Sequence, residues 1–116
     1  MTRREFEKML EESFSCRGEH PWHTDPDNTV FRHEKNRKWF ALTMRIHRSR
    51  LGLSGDGYID VVNLKCDREM VDSLGADGIF PAYHMNKRHW ISVLLDGSVS
   101  EDVLFLLADT SFSLTE

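Results

Sequence analysis

The order of hydrophobic periodicities along the chain is the feature that most constrains its fold. Apolar residues recur at helical spacing near both ends, and most runs between these ends are rich in β-branched and aromatic residues. The sequence predicts a first helix from Thr2 to about Gly18, followed by strands at 29–33, 38–46 and 58–65. A short helix after Asp67 carries Met70, Val71 and Leu74 and ends at Gly75 or Gly78. Strands at 79–85 and 89–95 and a helix at 103–112 complete the predicted order. Strands that do not alternate regularly with helices favour antiparallel pairing. The sequence therefore predicts an α+β fold with a single antiparallel sheet of about five strands, and with the N- and C-terminal helices packed on one face.

Helix-start signals and apolar spacing predict how the two long helices begin and what they bury. Thr2 and Glu5 have the spacing of a capping box, and Ser98 and Glu101 repeat that spacing before the last helix. Gly18 is a residue that can end the first helix. The helical faces predict one shared core that contains Phe6, Leu10, Phe14, Leu107 and either Leu104 or Leu106.

Turn-forming residues predict the connections between the strands. A polar turn at 34–37 contains Asn36, which can take a positive φ, and Asn86 and Lys87 form the tip of a second hairpin. Pro81 lacks an amide proton, which predicts an edge or bulged strand. The glycine-rich segment at 48–57 is typical of a mobile loop.

Length and composition favour a globular protein. A chain of 116 residues, 40% hydrophobic and 29% charged, predicts one domain over 1–116 that can bury a core without a disulfide or structural metal. There is no apolar run of about 18 residues and no signal-peptide pattern at the N-terminus, so we expect a cytoplasmic protein without a membrane span. Cys16 and Cys66 are far apart and lack a CxxC partner, which predicts two unpaired, unreactive thiols. Cys66 precedes a helix start, which would lower its pKa if the thiol were exposed.

Charge is distributed unevenly along the chain. The net charge is −4, yet residues 31–50 contain seven Lys or Arg and one acid, whereas residues 91–116 contain five acids and no Lys or Arg. A basic segment on an acidic body can be an ordinary solvated face, or it can be a surface for a polyanion.

Four short motifs resemble those of the MmcQ/YjbR family. They are Lys38-Trp39-Phe40-Ala41-Leu42, Asn63-Leu64-Lys65-Cys66-Asp67, His84-Met85-Asn86-Lys87-Arg88-His89-Trp90 and Leu95-Asp96-Gly97-Ser98-Val99. The resemblance extends from about Pro21 to the C-terminus, and the family more often has Met at the position of Trp39. It implies a frataxin-like (CyaY-like) fold of the double-wing type in a bacterial protein that is predicted to bind DNA.

Nucleic-acid binding through basic β-hairpins is therefore the first functional hypothesis. Arg and Lys at hairpin tips can reach phosphates, and a two-stranded ribbon fits the major groove. The partner would be nucleic acid, most simply DNA, in a weak and salt-dependent complex. The candidate contacts are Arg32, Lys35, Arg37, Lys38, Arg45, Arg48, Arg50, Lys87 and Arg88.

Two alternatives remain open. The first is a protein-interaction or small-ligand module whose groove lies near the second hairpin, lined by His84, Asn86, His89 and Trp90. The second is a frataxin-type metal protein, because the fold resemblance implies an acidic ridge on the first helix. The candidate ridge residues are Glu5, Glu7, Glu11 and Glu12, interrupted by Arg3, Arg4 and Lys8. The histidine pairs lack a third ligand at metal-binding spacing, so neither a metal site nor a cofactor is predicted.

Catalytic motifs are absent from the sequence. It contains no GxSxG, HExxH, P-loop or GxGxxG pattern. Tyr83 and His84 are neighbours in a predicted strand, so their side chains should point to opposite faces. We therefore expect that the protein is not an enzyme.

Overall fold

The protein is a five-stranded antiparallel sheet with two long helices, and the predicted α+β fold is confirmed. The computed structural model describes residues 1–67, 69–70, 72 and 77–116. The spatial strand order is β1-β2-β3-β5-β4. The elements are α1 (Arg3–Phe14), β1 (Thr29–Arg32), β2 (Trp39–His47), a 3₁₀ helix (Arg48–Leu51), β3 (Tyr58–Lys65), β4 (Ile79–Pro81), β5 (Trp90–Leu94) and α2 (Glu101–Leu114).

The main core lies between the sheet and the two helices. Phe6 and Leu10 of α1 and Leu104 and Leu107 of α2 are fully or almost fully buried against strand residues such as Val62. The open choice between Leu104 and Leu106 resolves in favour of Leu104, because Leu106 is 45% exposed. Burying leucine and phenylalanine side chains stabilises the fold by roughly 1.5–3 kcal/mol each, so this face contributes much of the stability.

Phe14 lies at the rim of this core and is only partly buried. Its ring centroid is 5.3 Å from that of Phe40 and 4.8 Å from that of Phe112. The prediction that Phe14 packs with the other helix residues is confirmed, although it is not enclosed on all sides.

Helix boundaries agree with the sequence at one position and differ at two. The Thr2–Glu5 capping box is confirmed, since each side chain accepts the other's backbone N–H. Helix α1 ends at Phe14, where Ser15 takes a left-handed conformation with φ of 52°. The prediction that Gly18 ends the helix is therefore wrong. Gly18 instead lies against β1, where a Cβ atom would be 2.6 Å from Thr29 Cγ2.

The start of α2 also differs from the sequence prediction. Ser100 is the N-cap, and its hydroxyl accepts the N–H of Val103 at 3.3 Å. Ser98 is not a cap, because its N–H and hydroxyl both donate to the Asp96 carboxylate in the preceding turn. Both Ser98 and Ser100 could cap α2, but the hydrogen bonds of Ser98 to Asp96 in the preceding turn leave Ser100 as the cap.

The predicted edge position of β4 is confirmed. The prediction for the second hairpin is wrong, because both of its strands are shorter than predicted. Pro81 closes a three-residue strand at the edge of the sheet. The strands predicted at 79–85 and 89–95 shrink to Ile79–Pro81 and Trp90–Leu94. Residues 82–89 leave the sheet and form a loop.

Two segments between the strands differ from a simple loop. The 48–57 segment contains a 3₁₀ helix that the sequence did not predict, and its Leu51 and Leu53 pack against the sheet. Of the short helix predicted after Asp67, Val71, Leu74 and Gly75 lie outside the described residues. Met70 donates its N–H to the Asp67 carbonyl at 3.1 Å and packs against the main core.

Both cysteines are free and buried, as predicted. Burial raises the pKa of Cys16 to about 11, and the nearby Glu11 carboxylate adds to the effect. Burial likewise raises the pKa of Cys66, so its place before a helix start does not activate it. Within the described ranges, each helix is too short or too polar to span a bilayer.

Candidate functional site

The face of the sheet opposite the helices is covered by loops, and we call it the helix-free face. Its apolar floor includes Leu42, Met44 and Val61. Three segments pack on this floor: the 19–28 loop through Trp22, the 48–57 segment, and the 82–89 loop through Tyr83 and Met85. The candidate binding residues in these three segments therefore lie on the same side of the sheet, the helix-free face.

Two buried polar residues hold the 82–89 loop on the helix-free face. Asn63 Nδ2 donates to the Tyr83 carbonyl at 2.9 Å, and the Tyr83 N–H donates to Ser92 Oγ at 3.0 Å. The Ser92 hydroxyl in turn donates to Asn63 Oδ1, and both side chains are fully buried. We call this network the clasp. Asn is depleted in strands and costly to bury without partners, so its use here indicates that the position of the loop matters.

His84 prevents the predicted strand at 79–85 from extending to Met85. Its φ is 63°, a left-handed conformation that interrupts an extended strand. The rings of Tyr83 and His84 lie side by side, with centroids 3.8 Å apart. The expectation that these two side chains point to opposite faces is therefore wrong. Strain at a non-glycine residue of this kind is concentrated at functional sites in proteins.

Asn86 organises the rest of the loop. Its Oδ1 accepts the N–H of Arg88 at 2.9 Å, and its carbonyl accepts the N–H groups of His89 and Trp90. The Lys87 ammonium donates to the Ala82 carbonyl at 3.0 Å and ties the turn to its own base. The loop is thus held by its own polar side chains and by the clasp.

The β1–β2 turn has the same local design. Asn36 Oδ1 accepts the N–H of Lys38 at 2.9 Å, as Asn86 Oδ1 accepts that of Arg88. Each side chain thereby forms an Asx turn that presents a cation two residues later. The two matching segments, which we call the Asx tips, are Asn36-Arg37-Lys38-Trp39 and Asn86-Lys87-Arg88-His89-Trp90.

Asn36 does not take the positive φ that the sequence allows for it. Arg37 takes the left-handed conformation, with φ of 61°. Asn36 is held instead by its side chain, which also donates from Nδ2 to the Thr115 carbonyl at 3.2 Å. The turn therefore closes on the end of α2 as well as on itself.

Both Asx tips lie at one end of the sheet, which we call the Trp39 end. Trp39 begins β2 and Trp90 begins β5, with β3 between them. Two strand spacings separate β2 from β5, so the tips leave the sheet about 10 Å apart. Strand β3 ends here at Lys65, which pairs with Trp90.

Lys65 is a binding candidate that the sequence reasoning missed. Its neighbour Leu64 belongs to the core under the helices, so alternation places Lys65 on the helix-free face, between the tips. The predicted strand at 58–65 was correct in its limits. Alternation along it was the signal that could have identified Lys65.

The basic segment at 31–50 does not form one continuous patch. Arg45, Arg48 and Arg50 lie at or beyond the far end of β2, about 20 Å or more from the Trp39 end. At the Trp39 end, Lys35 is exposed beside a cavity that Glu34 and Glu116 also line. The nine predicted cations therefore divide between two ends of the sheet.

Several of these cations already have partners. Arg37 makes two contacts with the Glu19 carboxylate, at 2.8 and 3.0 Å, and Arg32 lies 3.9 Å from it. Arg45 pairs with Asp60 at 3.6 Å, and Arg48 Nε donates to the Ser54 carbonyl at 2.9 Å. Lys38 and Arg88 remain exposed, without a carboxylate within ion-pair distance among the residues the structure describes.

Comparison with known proteins identifies the family. The YjbR family model matches residues 13–114, which is most of the chain. The chain belongs to the YjbR family. The predicted resemblance to MmcQ/YjbR proteins is therefore confirmed.

Relatives of this YjbR-family protein extend along its whole length. It is 38% identical to the uncharacterised protein YyaQ of Bacillus subtilis over 100% of this chain and 99% of that one. A crystal structure of a Pseudomonas syringae protein is 44% identical, with a TM-score of 0.94 and full coverage of both chains. The Deinococcus radiodurans protein DR2400, with a DUF419 domain, has a TM-score of 0.70 at 27% identity, over 97% of this chain and 77% of that chain.

The acidic side chains of α1 in this YjbR-family protein have structural roles. Glu5 caps the helix, and Glu7 accepts from the Thr43 hydroxyl at 2.6 Å. Glu11 accepts from the Gly18 N–H at 2.9 Å, and Glu12 lies 3.9 Å from Lys8. Across the described ranges, no group of three or more His, Cys, Asp or Glu is placed to hold a metal ion.

The groove predicted near the second hairpin divides into two places. His84 lines a cleft of about 280 Å³ with Tyr83 and Arg50. Asn86, His89 and Trp90 belong instead to the turn that returns the chain to β5 at the Trp39 end.

Proposed function

We propose that the protein binds nucleic acid, with double-stranded DNA as the target, through the two Asx tips. The observation that carries this proposal is the matched geometry of Lys38 and Arg88. Each cation is the residue whose N–H closes an Asx turn. Lys38 directly precedes Trp39, which begins β2, and Arg88 lies two residues before Trp90, which begins β5. A side chain held out by a fixed turn loses less conformational freedom on binding than one on a loose loop.

The spacing of the tips suits a duplex. They lie about 10 Å apart where they leave the sheet, and the major groove is about 12 Å wide. Lys38 and Arg88 can therefore contact phosphates on the two sides of a groove, with Lys65 between them. Phosphate contacts of this kind position a protein without reading sequence, so the proposed binding is non-specific.

Charge on the rest of the molecule limits the affinity. The net charge of −4 opposes the approach of a polyanion, and Glu34 and Asp67 flank the basic positions. Non-specific complexes have dissociation constants of roughly 10⁻⁴ to 10⁻⁶ M at physiological salt, and we expect a value in the weaker part of that range.

A salt titration with random duplex DNA tests the proposal. Contacts from Lys38, Lys65 and Arg88 should give a log–log slope of about −2.7, because each phosphate contact contributes about −0.9. The variant with Lys38→Glu and Arg88→Glu should flatten the slope by about two units. Its Asx turns should persist, because they use the backbone N–H groups of these residues.

The matched control reverses two exposed cations on α1, Arg4→Glu and Lys8→Glu. It changes the net charge by the same amount, but both residues lie on the helix side of the sheet. The control should keep the slope of the natural protein. Equal losses in the two variants would mean that net charge alone governs binding, and no binding at low salt would refute the proposal.

A further inference from the structure

A second candidate site lies at the opposite end of the helix-free face from the Asx tips. It is a cleft of about 280 Å³ between the 19–28 loop and the 82–89 loop. Met44 and Ile46 of β2 are almost fully buried and form its floor. Asp25 and Asn28 line one side, and Arg50, Tyr83 and His84 line another.

The walls of this cleft are fixed by the surrounding structure. The clasp holds Tyr83 by both its backbone N–H and its carbonyl, which fixes the backbone from which its ring extends. On the other wall, the Asn28 N–H donates to the Asp25 carbonyl at 3.1 Å, which closes a turn between these two lining residues. A site with walls held in this way needs little reorganisation when a ligand binds.

Arg50 is available to a ligand. Its guanidinium carbon lies 6.0 Å from the Tyr83 ring centroid, and the residue is exposed. In the described part of the chain, no carboxylate lies within ion-pair distance of it, in contrast to Arg37 and Arg45. A guanidinium beside an aromatic ring and an imidazole offers donors for a phosphate together with a surface for a flat ring.

The opposite wall offers acceptors. The Asp25 carboxylate can accept N–H groups, and the Asn28 amide can both donate and accept. A ligand that fits both walls has an acidic group at one end, a flat ring in the middle, and N–H donors at the other end. The cleft volume of about 280 Å³ is just below the range of about 300–1,000 Å³ that is usual for ligand pockets, so the cleft suits one small molecule rather than a dinucleotide.

We propose that this cleft binds a nucleoside monophosphate. The phosphate is bound by Arg50 and His84, the base stacks on Tyr83, and the N–H donors of the base face Asp25 and Asn28. The nucleotide can be free or part of a nucleic-acid strand. The site goes beyond DNA binding by the tips and does not depend on it, because the two sites share no residue.

Amide shift mapping of the full chain by NMR tests this proposal, with guanosine monophosphate as the probe. Its base carries adjacent ring and amino N–H donors that a carboxylate accepts together. Saturable shifts should appear at Asn28, Arg50, Tyr83 and His84. Guanosine and inorganic phosphate, added separately, should each bind more weakly than the complete nucleotide.

Three single variants separate the parts of the site. Arg50→Gln should reduce affinity about tenfold or more, since a hydrogen bond to a charged group contributes enough for that factor. Tyr83→Leu should also weaken binding while leaving the clasp intact, because the clasp uses only backbone atoms of Tyr83. Asp25→Asn should reduce guanosine monophosphate binding and leave the binding of inorganic phosphate unchanged.

The control is the variant with Lys38→Gln and Arg88→Gln, which removes the cations of the Asx tips. It should bind guanosine monophosphate as the natural protein does, whether or not the tips bind DNA. A single-stranded oligonucleotide that shifts the cleft residues when the free nucleotide does not would assign the site to a strand. Absence of cleft shifts with both probes, or unchanged affinity in folded Arg50→Gln protein, would refute the proposal.

Discussion

Helices α1 and α2 cover one face of the sheet with apolar side chains, whereas loops cover the other face and keep polar groups on it. The helix-covered face contains the fully buried Phe6, Leu10 and Leu107. The helix-free face contains the clasp, the left-handed His84 and two arginine–aromatic contacts, Arg32 on Trp39 and Arg50 on Tyr83. We propose that the first face contributes most of the stability and that the second face contains the recognition sites.

A buried serine on each face has a different task. Ser111 of α2 donates to the Phe40 carbonyl and accepts the N–H of Lys65, so it joins the helix to two strands. Ser92 joins a strand to a loop through Tyr83. The first hydroxyl completes the packing of a helix, and the second holds the backbone of the 82–89 loop at Tyr83.

The largest effect is expected in the helix-covered core. Leu107→Ala should lower the free energy of unfolding by about 2–5 kcal/mol, because a fully buried leucine leaves a cavity. Leu106→Ala, next to it in α2 and half-exposed, should cost no more than about 0.5 kcal/mol. Urea melts measure both values. A cost below about 1 kcal/mol at Leu107 would mean that α2 contributes little to the core.

The clasp should contribute less than Leu107 to the free energy of unfolding, and it should also slow local opening of the 82–89 loop. Asn63→Leu should cost about 1–3 kcal/mol, because it leaves the Tyr83 carbonyl and the Ser92 hydroxyl without their buried partner. Hydrogen exchange in residues 82–85 should accelerate more than in α1. An Asn36→Ala control at an exposed tip should cost about 1 kcal/mol or less. Unchanged exchange at 82–85 would show that the clasp does not hold the loop.

His33 predicts a pH dependence that belongs to the helix-covered face. Burial between the Phe40 and Phe112 rings lowers the pKa of His33 from its ordinary value near 6.5, and its Nε2 shares a 2.7 Å hydrogen bond with Thr115 Oγ1. The folded state therefore binds fewer protons than the unfolded state just below pH 6.5. Stability should fall as the pH falls through this window, by at most about 1.4 kcal/mol per pH unit.

Urea melts between pH 7 and pH 5 measure this slope. His33→Gln removes the titrating group, so the difference between the two proteins isolates the contribution of His33. Parallel slopes in the natural protein and the variant would mean that His33 is protonated as easily when folded as when unfolded.

The smallest expected change in the free energy of unfolding is an increase, at His84. His84→Gly should raise the free energy of unfolding by about 1 kcal/mol, because glycine adopts a positive φ without the cost that Cβ imposes. His89→Gly in the same loop should not stabilise, since no positive φ is found there. Thermal melts would check both. Destabilisation by His84→Gly would show that this imidazole supports the fold, which would weaken the contrast between the faces.

Local patterns allowed much of the fold to be predicted. Helical spacing located both long helices, alternation located β3, and Pro81 located the edge strand, because each of these signals acts over a few residues. Where two local solutions competed, as with Ser98 and Ser100, the sequence did not distinguish them. Tertiary contacts decided those cases.

The binding surface was predicted less well than the fold. Glu19 and Asp60, which pair with arginines of the basic segment, lie outside this segment in sequence. Which of its cations remain unpaired therefore depends on the fold. The clasp likewise joins residues from three separate segments. Lys65 and the repeated Asn-cation-cation pattern of the two tips could have been found from the sequence alone, by alternation and by comparing the two turns.

The most direct measurement of the central claim is amide shift mapping of the natural protein by NMR with a short random DNA duplex at low salt. The account predicts shifts at Lys38, Lys65 and Arg88 and their neighbours in the two Asx tips, which disappear as salt is raised. Exposed positions on α1 such as Arg4 and Lys8 should remain unchanged. Shifts concentrated on α1 or α2, or shifts at Arg45 and Arg48 without the tips, would contradict the assignment of recognition to the Trp39 end of the helix-free face.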